Sequence, residues 1–306
     1  MAIVSTSTSA FFERSRTNLK DLRAQTETLQ SQLSSGNKLS RSSDDPVAAS
    51  RLRSLSRLES LSNIDKSNSQ RANADLTLAD ATLSDMSDAL IRAQELATQA
   101  ASDSISSDQR ASIGRELDSI YSTLMTLANA RDSNGHALFG GESSGDAYAL
   151  DGSGNPVYVG TTTSGTLPLG EGQTVARSLT GPEFLNFSVG GTPTDLLSVV
   201  KNLGAALQGA AADPAGAAND GLEALKAGLD SLTTGQTVVG TRLAWIELTA
   251  DRRTNLSQLR STEEADIGST DIASTAASLQ EALLVLEASQ ASFTKLANLS
   301  LFNNLS

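Results

Sequence analysis

The sequence predicts a mainly α-helical protein with a β-rich insert, its elongated coiled-coil core drawn from both ends of the chain. Three observations predict this. From Ile272 through Ala276, Leu279, Leu283, Leu286, Gln290, Phe293 and Ala297 to Ser300, the spacing alternates between four and three without a slip. That is a seam able to face one partner along a whole helix. Phe12, Ser15, Leu19, Leu22, Thr26, Leu29 and Leu33 repeat the alternation near the other end. Between the ends, residues 135–194 lose the helical period and hold more than half of the 23 glycines and four of the six prolines. The predicted divisions are therefore 1–134, 135–194 and 195–306.

Taken in order, residues 1–10 are rich in Ser and Thr, and an irregular, mobile start is expected. The first helix ends at Ser35-Gly36-Asn37, where Gly36 suits a left-handed turn. A loop follows to Asp45-Pro46, a carboxylate cap before a proline at the first helical position. The next helix runs from Val47 to about Ser102. Leu52, Leu55, Leu58 and Leu61 give its first half a broad apolar face. Ala72, Leu76, Ala79, Leu83, Met86, Leu90, Ala93, Ala97 and Ala100 then keep a strict heptad. At 1.5 Å per residue such a helix is ~80 Å long, the length of a rod.

Ser102 to Ser107 is a turn, and Ile113, Leu117, Ile120, Leu124 and Leu127 mark a third helix. Hairpins are expected in the insert, with Ala147–Leu150 and Pro156–Val159 flanking the turn Asp151-Gly152-Ser153-Gly154. Thr174–Leu179 reads as a further strand. Helix resumes at Leu196, pauses at Asp213-Pro214, turns between Thr233 and Gly240, and continues over 241–260. Glu263 to Gly268 reads as an acidic link into the terminal helix. That helix closes on Leu299, Leu301, Phe302 and Leu305, an apolar tail where termini are usually polar.

Composition narrows the function. A net charge of −12 and a pI near 4.6 disfavour nucleic acid and anionic lipid as partners. Without cysteine there is no disulfide, thiolate metal site or cysteine nucleophile. No apolar run reaches the ~20 residues of a membrane span, and the N-terminus lacks the basic and apolar regions of a secretory signal. From these facts alone the protein would be cytoplasmic.

Catalysis finds little footing. His136 is the single histidine and sits beside a turn, whereas a serine triad or a two-histidine metal site needs a prepared one. Asp44-Asp45 reads as helix capping rather than a metal pair. Glu263, Glu264 and Asp266 lack calcium-loop spacing. Gly140-Gly141 is too little for a phosphate loop, and Trp245 suits a core or interface anchor. The expectation is no enzyme, no cofactor and no metal.

Several stretches carry a resemblance. Gln32 to Ala49 reads QLSSGNKLSRSSDDPVAA, Leu127 to Gly141 reads LANARDSNGHALFGG, and Ser178 to Leu185 reads SLTGPEFL. Ser261 to Ala273 reads STEEADIGSTDIA, and Leu296 to Leu305 reads LANLSLFNNL. This layout resembles the bacterial flagellin family. DDPVAA and SLFNNL are similar to the members that join the flagellar hook to the filament, rather than to filament-forming flagellins. The likeness covers the front and back of the chain and only the edges of its middle. Met1 to Ala10 departs from it.

The resemblance implies a helical core made from both termini, with the β insert displayed outward. It implies export through the flagellar type III channel without a cleaved signal, which moves the expected location from cytoplasm to flagellum. It implies self-assembly into a ring or tube, with hook-associated protein 1 and flagellin as neighbours and an export chaperone as a further partner. The assembly interface expected on these grounds is Phe12, Leu19, Leu22, Leu29, Leu33, Arg41, Asp44, Asp45, Ile272, Leu279, Leu283, Leu286, Phe293, Leu301 and Phe302. The alternatives are a short flagellin or a secreted adhesin or effector. Removing residues 297–306 is expected to leave the insert folded and abolish assembly; incorporation of the truncated chain at the hook tip would refute this.

Overall fold

The computed structural model describes the backbone of residues 2–305 and the side chains of residues 10–295. In chain order the helices are α1 (Ala2–Ser35), α2 (Pro46–Ala100) and α3 (Ser107–Ala128). Three antiparallel hairpins follow: β1 (Tyr148–Leu150) with β2 (Pro156–Tyr158), β3 (Thr166–Gly170) with β4 (Gln173–Ala176), and β5 (Asn186–Val189) with β6 (Thr192–Asp195). A single turn, α4 (Pro182–Leu185), precedes the third hairpin. Then come α5 (Leu196–Ala205), a π-helical turn (Ala206–Ala210), α6 (Pro214–Gly268) and α7 (Ile272–Leu305).

The elements form two compact units, Met1–Ser60 with Asn255–Ser306, and Leu61–Thr254. The lines drawn from composition at 134 and 194 are different ones, because α2 and α6 each contribute to both units.

The larger unit is organised on the heptad of α2. All nine predicted positions from Ala72 to Ala100 are fully buried. They join a core that includes Ile113, Leu117 and Leu124 of α3, Leu196, Leu197 and Val200 of α5, and Leu225, Leu232, Val239 and Ile246 of α6. The four α6 residues recur every seven, which is why one helix can serve one groove along its length. The start of α3 is a capping box: the Gln109 N–H donates to Ser106 Oγ, and the Gln109 side chain accepts from the Ser106 N–H.

Three expectations are corrected. The turn predicted at Thr233–Gly240 and the acidic link at Glu263–Gly268 both lie inside the continuous helix α6. Gly235 serves close packing rather than chain reversal: a Cβ there would stand 2.9 Å from Phe184 Cβ. Burial has overridden helix propensity. The irregular start predicted for residues 1–10 is instead helical from Ala2, in a stretch free of Gly and Pro.

The β1–β2 hairpin pairs as the sequence predicts, Tyr148 opposite Tyr158. Its turn is braced by Asp151, whose carboxylate accepts the N–H groups of Ser153 and Asn155, each at 2.8 Å. β3 and the β5–β6 hairpin carry no alternation strong enough to foresee. Gly141 holds the insert's first crossing closed. It has φ +69°, and a Cβ there would meet Thr161 Oγ1 and lie 2.7 Å from the carbonyls of Thr161 and Thr163. Gly141→Ala is therefore expected to lower the stability of the larger unit by about 2 kcal/mol or more. An unchanged denaturation midpoint would contradict that packing.

Candidate assembly interface

The smaller unit brings the two ends of the chain together, and α1 packs on α7. The Gly36 carbonyl accepts the Thr270 N–H at 2.9 Å, and the Phe12 and Phe293 rings meet edge to face with centroids 5.5 Å apart. One contact lies at the end of α1 and the start of α7; the other joins the opposite ends, so the helices run antiparallel.

On α1 the covered positions are the predicted ones. Phe12, Leu19, Leu22, Leu29 and Leu33 are partly covered, and Thr26 is buried. On α7 the seam is turned by one residue. Leu279, Leu286 and Phe293 belong to it, but its buried residues are Thr275, one turn before Leu279, and Ala282, between Leu279 and Leu286. Ile272 (61% exposed) and Leu283 (47%) lie outside, as do Leu284 (69%) and Val285 (46%). The spacing of three and four is satisfied by either choice because α7 is apolar on more than one side. In the structure the side that carries Ala282 is the one covered. Leu301 and Phe302 lie beyond the described side chains.

The loop after α1 is built as a clamp. Gly36 takes φ +71°, as the sequence predicts for the helix end. The Lys38 N–H donates to the Gly268 carbonyl at 2.7 Å, so with the Thr270–Gly36 bond the loop is stitched to the α6–α7 corner. Asp45 caps α2, accepting the N–H groups of Val47 and Ala48 at 3.1 and 2.9 Å. Asp44 does something else. It turns back to accept the Arg41 N–H at 2.7 Å and the Ser40 hydroxyl at 3.0 Å. These bonds hold its carboxyl below the usual carboxylate range. Arg41 is exposed beside it.

Charged residues beyond the predicted set knit α2 to α6 within this unit. Arg51 grips Glu263 with two parallel hydrogen bonds of 2.5 and 2.7 Å, and Glu59 accepts from Ser257 and Arg260, each at 3.0 Å. Glu263 is thereby part of a helix–helix pair. Only the spatial register of α2 against α6 brings these partners together, and no local motif announces it.

In the larger unit a crevice of about 350 Å³ collects His136, Asp75, Asp132, Glu142 and Arg177. Sequence reading placed His136 in a surface loop, and its side chain is indeed half exposed. The nearby charges are committed: Arg177 lies 3.0 Å from Asp75 and 3.1 Å from Asp132, and Asp132 also accepts the N–H groups of Asn134 and His136. The arrangement is a cross-link between α2, the segment after α3 and the end of β4. Among the described residues no group of three or more His, Cys, Asp or Glu side chains is placed to hold a metal ion. No helix there is long and apolar enough to cross a membrane.

Comparison with known proteins agrees with this architecture. The N-terminal helical region of bacterial flagellin matches residues 5–144. Flagellar hook-associated protein 3 of Salmonella typhimurium is 30% identical over 135 residues, 44% of this chain and 43% of that protein, so this match spans less than half the relative's length. Its Escherichia coli namesake is 25% identical over 291 residues, 89% of this chain and 90% of that protein. A solved flagellar hook-associated protein from Vibrio parahaemolyticus shares the fold, with a TM-score of 0.68 at 22% identity, covering 74% of this chain and all of that one. With its helical termini joined in one unit, the chain resembles the bacterial flagellin family and, within it, is similar to hook-associated protein 3.

Proposed function

We propose that this chain is a structural subunit of the bacterial flagellum that joins hook to filament. The observation that carries the reading is the unit built from both chain ends. It has a thin seam between α1 and α7, and it leaves Leu283, Leu284 and Val285 in solvent. An apolar helix face of this kind is completed by neighbours in an assembly. The similarity to hook-associated protein 3 supports the same role.

In this mechanism each subunit contributes one antiparallel helix pair to a ring or tube. The loop from Asn37 to Pro46 presents its polar clamp at the interface. Residues 135–194 form an insert facing outward between the core segments 1–134 and 195–306. Hook-associated protein 1 lies on one side and flagellin on the other. Subunits leave the cell through the flagellar export channel without a cleaved signal and with a chaperone's help. The role is mechanical, and no step of it requires catalysis.

Deletion of the gene followed by electron microscopy tests the reading. Hooks without filaments, with flagellin shed into the medium, are expected; normal motile filaments would overturn it. The purified chain is expected not to grow long filaments alone, which separates it from a short flagellin.

A further inference from the structure

Within the unit made of the two chain ends, two hollows carry opposite charge. The first, about 430 Å³, lies on α1, with Arg16, Lys20 and Arg23 around Leu19 and Ala24. The three cations are exposed, and among the described residues none enters an ion pair. At spacings of four and three they form one stripe on the helix. Glu27 alone among the lining residues opposes them. Such a stripe stands out on a chain of net charge −12.

The second hollow, about 510 Å³, lies at the end of α6. Leu39, Leu52 and Ala265 give it apolar walls, and Glu264 lines it with no ion pair among the described residues. The C-terminus of α6, at Gly268, adds the negative end of a helix dipole. Lys38 falls between Asn37 and Leu39 in the chain, but its side chain is not among those that line the slot. An apolar slot with a carboxylate at its rim, beside a helix C-terminus, suits a Lys or Arg side chain, whose stem packs on leucine while its head meets the charge.

We propose that this slot receives the basic stripe of α1, through Lys20 and Arg23, from a second copy of the chain. The inference rests on the assembly reading above and names the polar contact that would set its register. A pair inside one chain is disfavoured by geometry. Lys20 stands 16 residues before Gly36, about 24 Å along α1, whereas the slot adjoins the Gly36–Thr270 link. Two different surfaces meeting in this way make a heterologous contact, which propagates from copy to copy as a ring or tube requires. Like charges brought together there oppose assembly.

A charge-swap cycle in the full chain, expressed in a strain lacking its own copy, tests this. Glu264→Lys alone, and Lys20→Glu with Arg23→Glu, are each expected to lower the amount of chain in isolated flagella about tenfold. The triple variant is expected to recover to within about threefold. Reversals without effect, or a triple variant no better than its parents, would overturn the contact. The absence of cysteine supplies a second readout. Lys20→Cys and Glu264→Cys copies, co-expressed with the unaltered chain to keep assembly intact, are expected to give a 20–264 disulfide on oxidation of isolated flagella. Flagella holding both variants without that crosslink also overturn it. Absence of the unaltered chain from flagella would instead sink the assembly reading.

Discussion

Arg177→Ala is expected to lower the stability of the larger unit by about 3 kcal/mol, because it strands two buried carboxylates together. Asp75 lies on α2 and Asp132 beyond α3, and both side chains are 5% exposed. Arg177, just after β4, donates to both: Nη2 lies 3.0 Å from Asp75 Oδ2 and 3.1 Å from Asp132 Oδ2. For a unit of this size the loss corresponds to about 6–12 °C in melting temperature. Arg177→Lys should recover only part, since an ammonium lacks the planar fork that reaches both acids. A shift below about 1 °C for the alanine variant would contradict the cross-link.

The same cluster has a pH signature. Burial pushes the Asp132 carboxyl upward, but the backbone N–H groups of His136 and Asn134 outweigh it, and the result lies below the usual carboxylate range. A carboxyl lowered on folding stabilises fully above its unfolded pKa, about 4, and loses that contribution as pH falls through the lower folded value. The melting temperature is therefore expected to be flat above about pH 5 and to fall in acid. A decline beginning near neutrality would point to another group.

Leu283→Asp with Leu284→Asp is the second large effect. Both side chains face solvent in the single chain, so the folded monomer should melt within about 1 °C of the unaltered one. In an array, each substitution places a carboxylate where an apolar side chain would be covered, a cost of several kcal/mol. Loss of the double variant from isolated flagella, at normal secreted levels, is the expected result. Normal incorporation would show that the bare face of α7 has no part in assembly.

Much of this was legible in the sequence. The heptad from Ala72 to Ala100 and the stripe from Phe12 to Leu33 are read correctly because each has one apolar side and a polar remainder. Asp45-Pro46 and Gly36 announce helix boundaries through local chemistry, and the structure uses them so. The α7 seam was less legible: with Leu283, Leu284, Val285 and Leu286 in a row, spacing cannot choose the side. Thr233 to Gly240 misled for the opposite reason, since glycine can end a helix or let one pack closely. The pairs Arg51–Glu263 and Arg177–Asp75 join residues 212 and 102 positions apart. Only the fold can reveal them.

On the proposed assembly, α1 and α7 are a half-finished core that neighbouring subunits complete. Amide hydrogen exchange over residues 278–290, compared between the dilute monomer and isolated flagella, tests it most directly. A single thin seam should leave those amides opening readily in the monomer, and coverage in the array should slow them at least about a hundredfold, equivalent to ~2.7 kcal/mol. Equal protection in both states would mean that α7 is already complete within one chain, and would contradict the account.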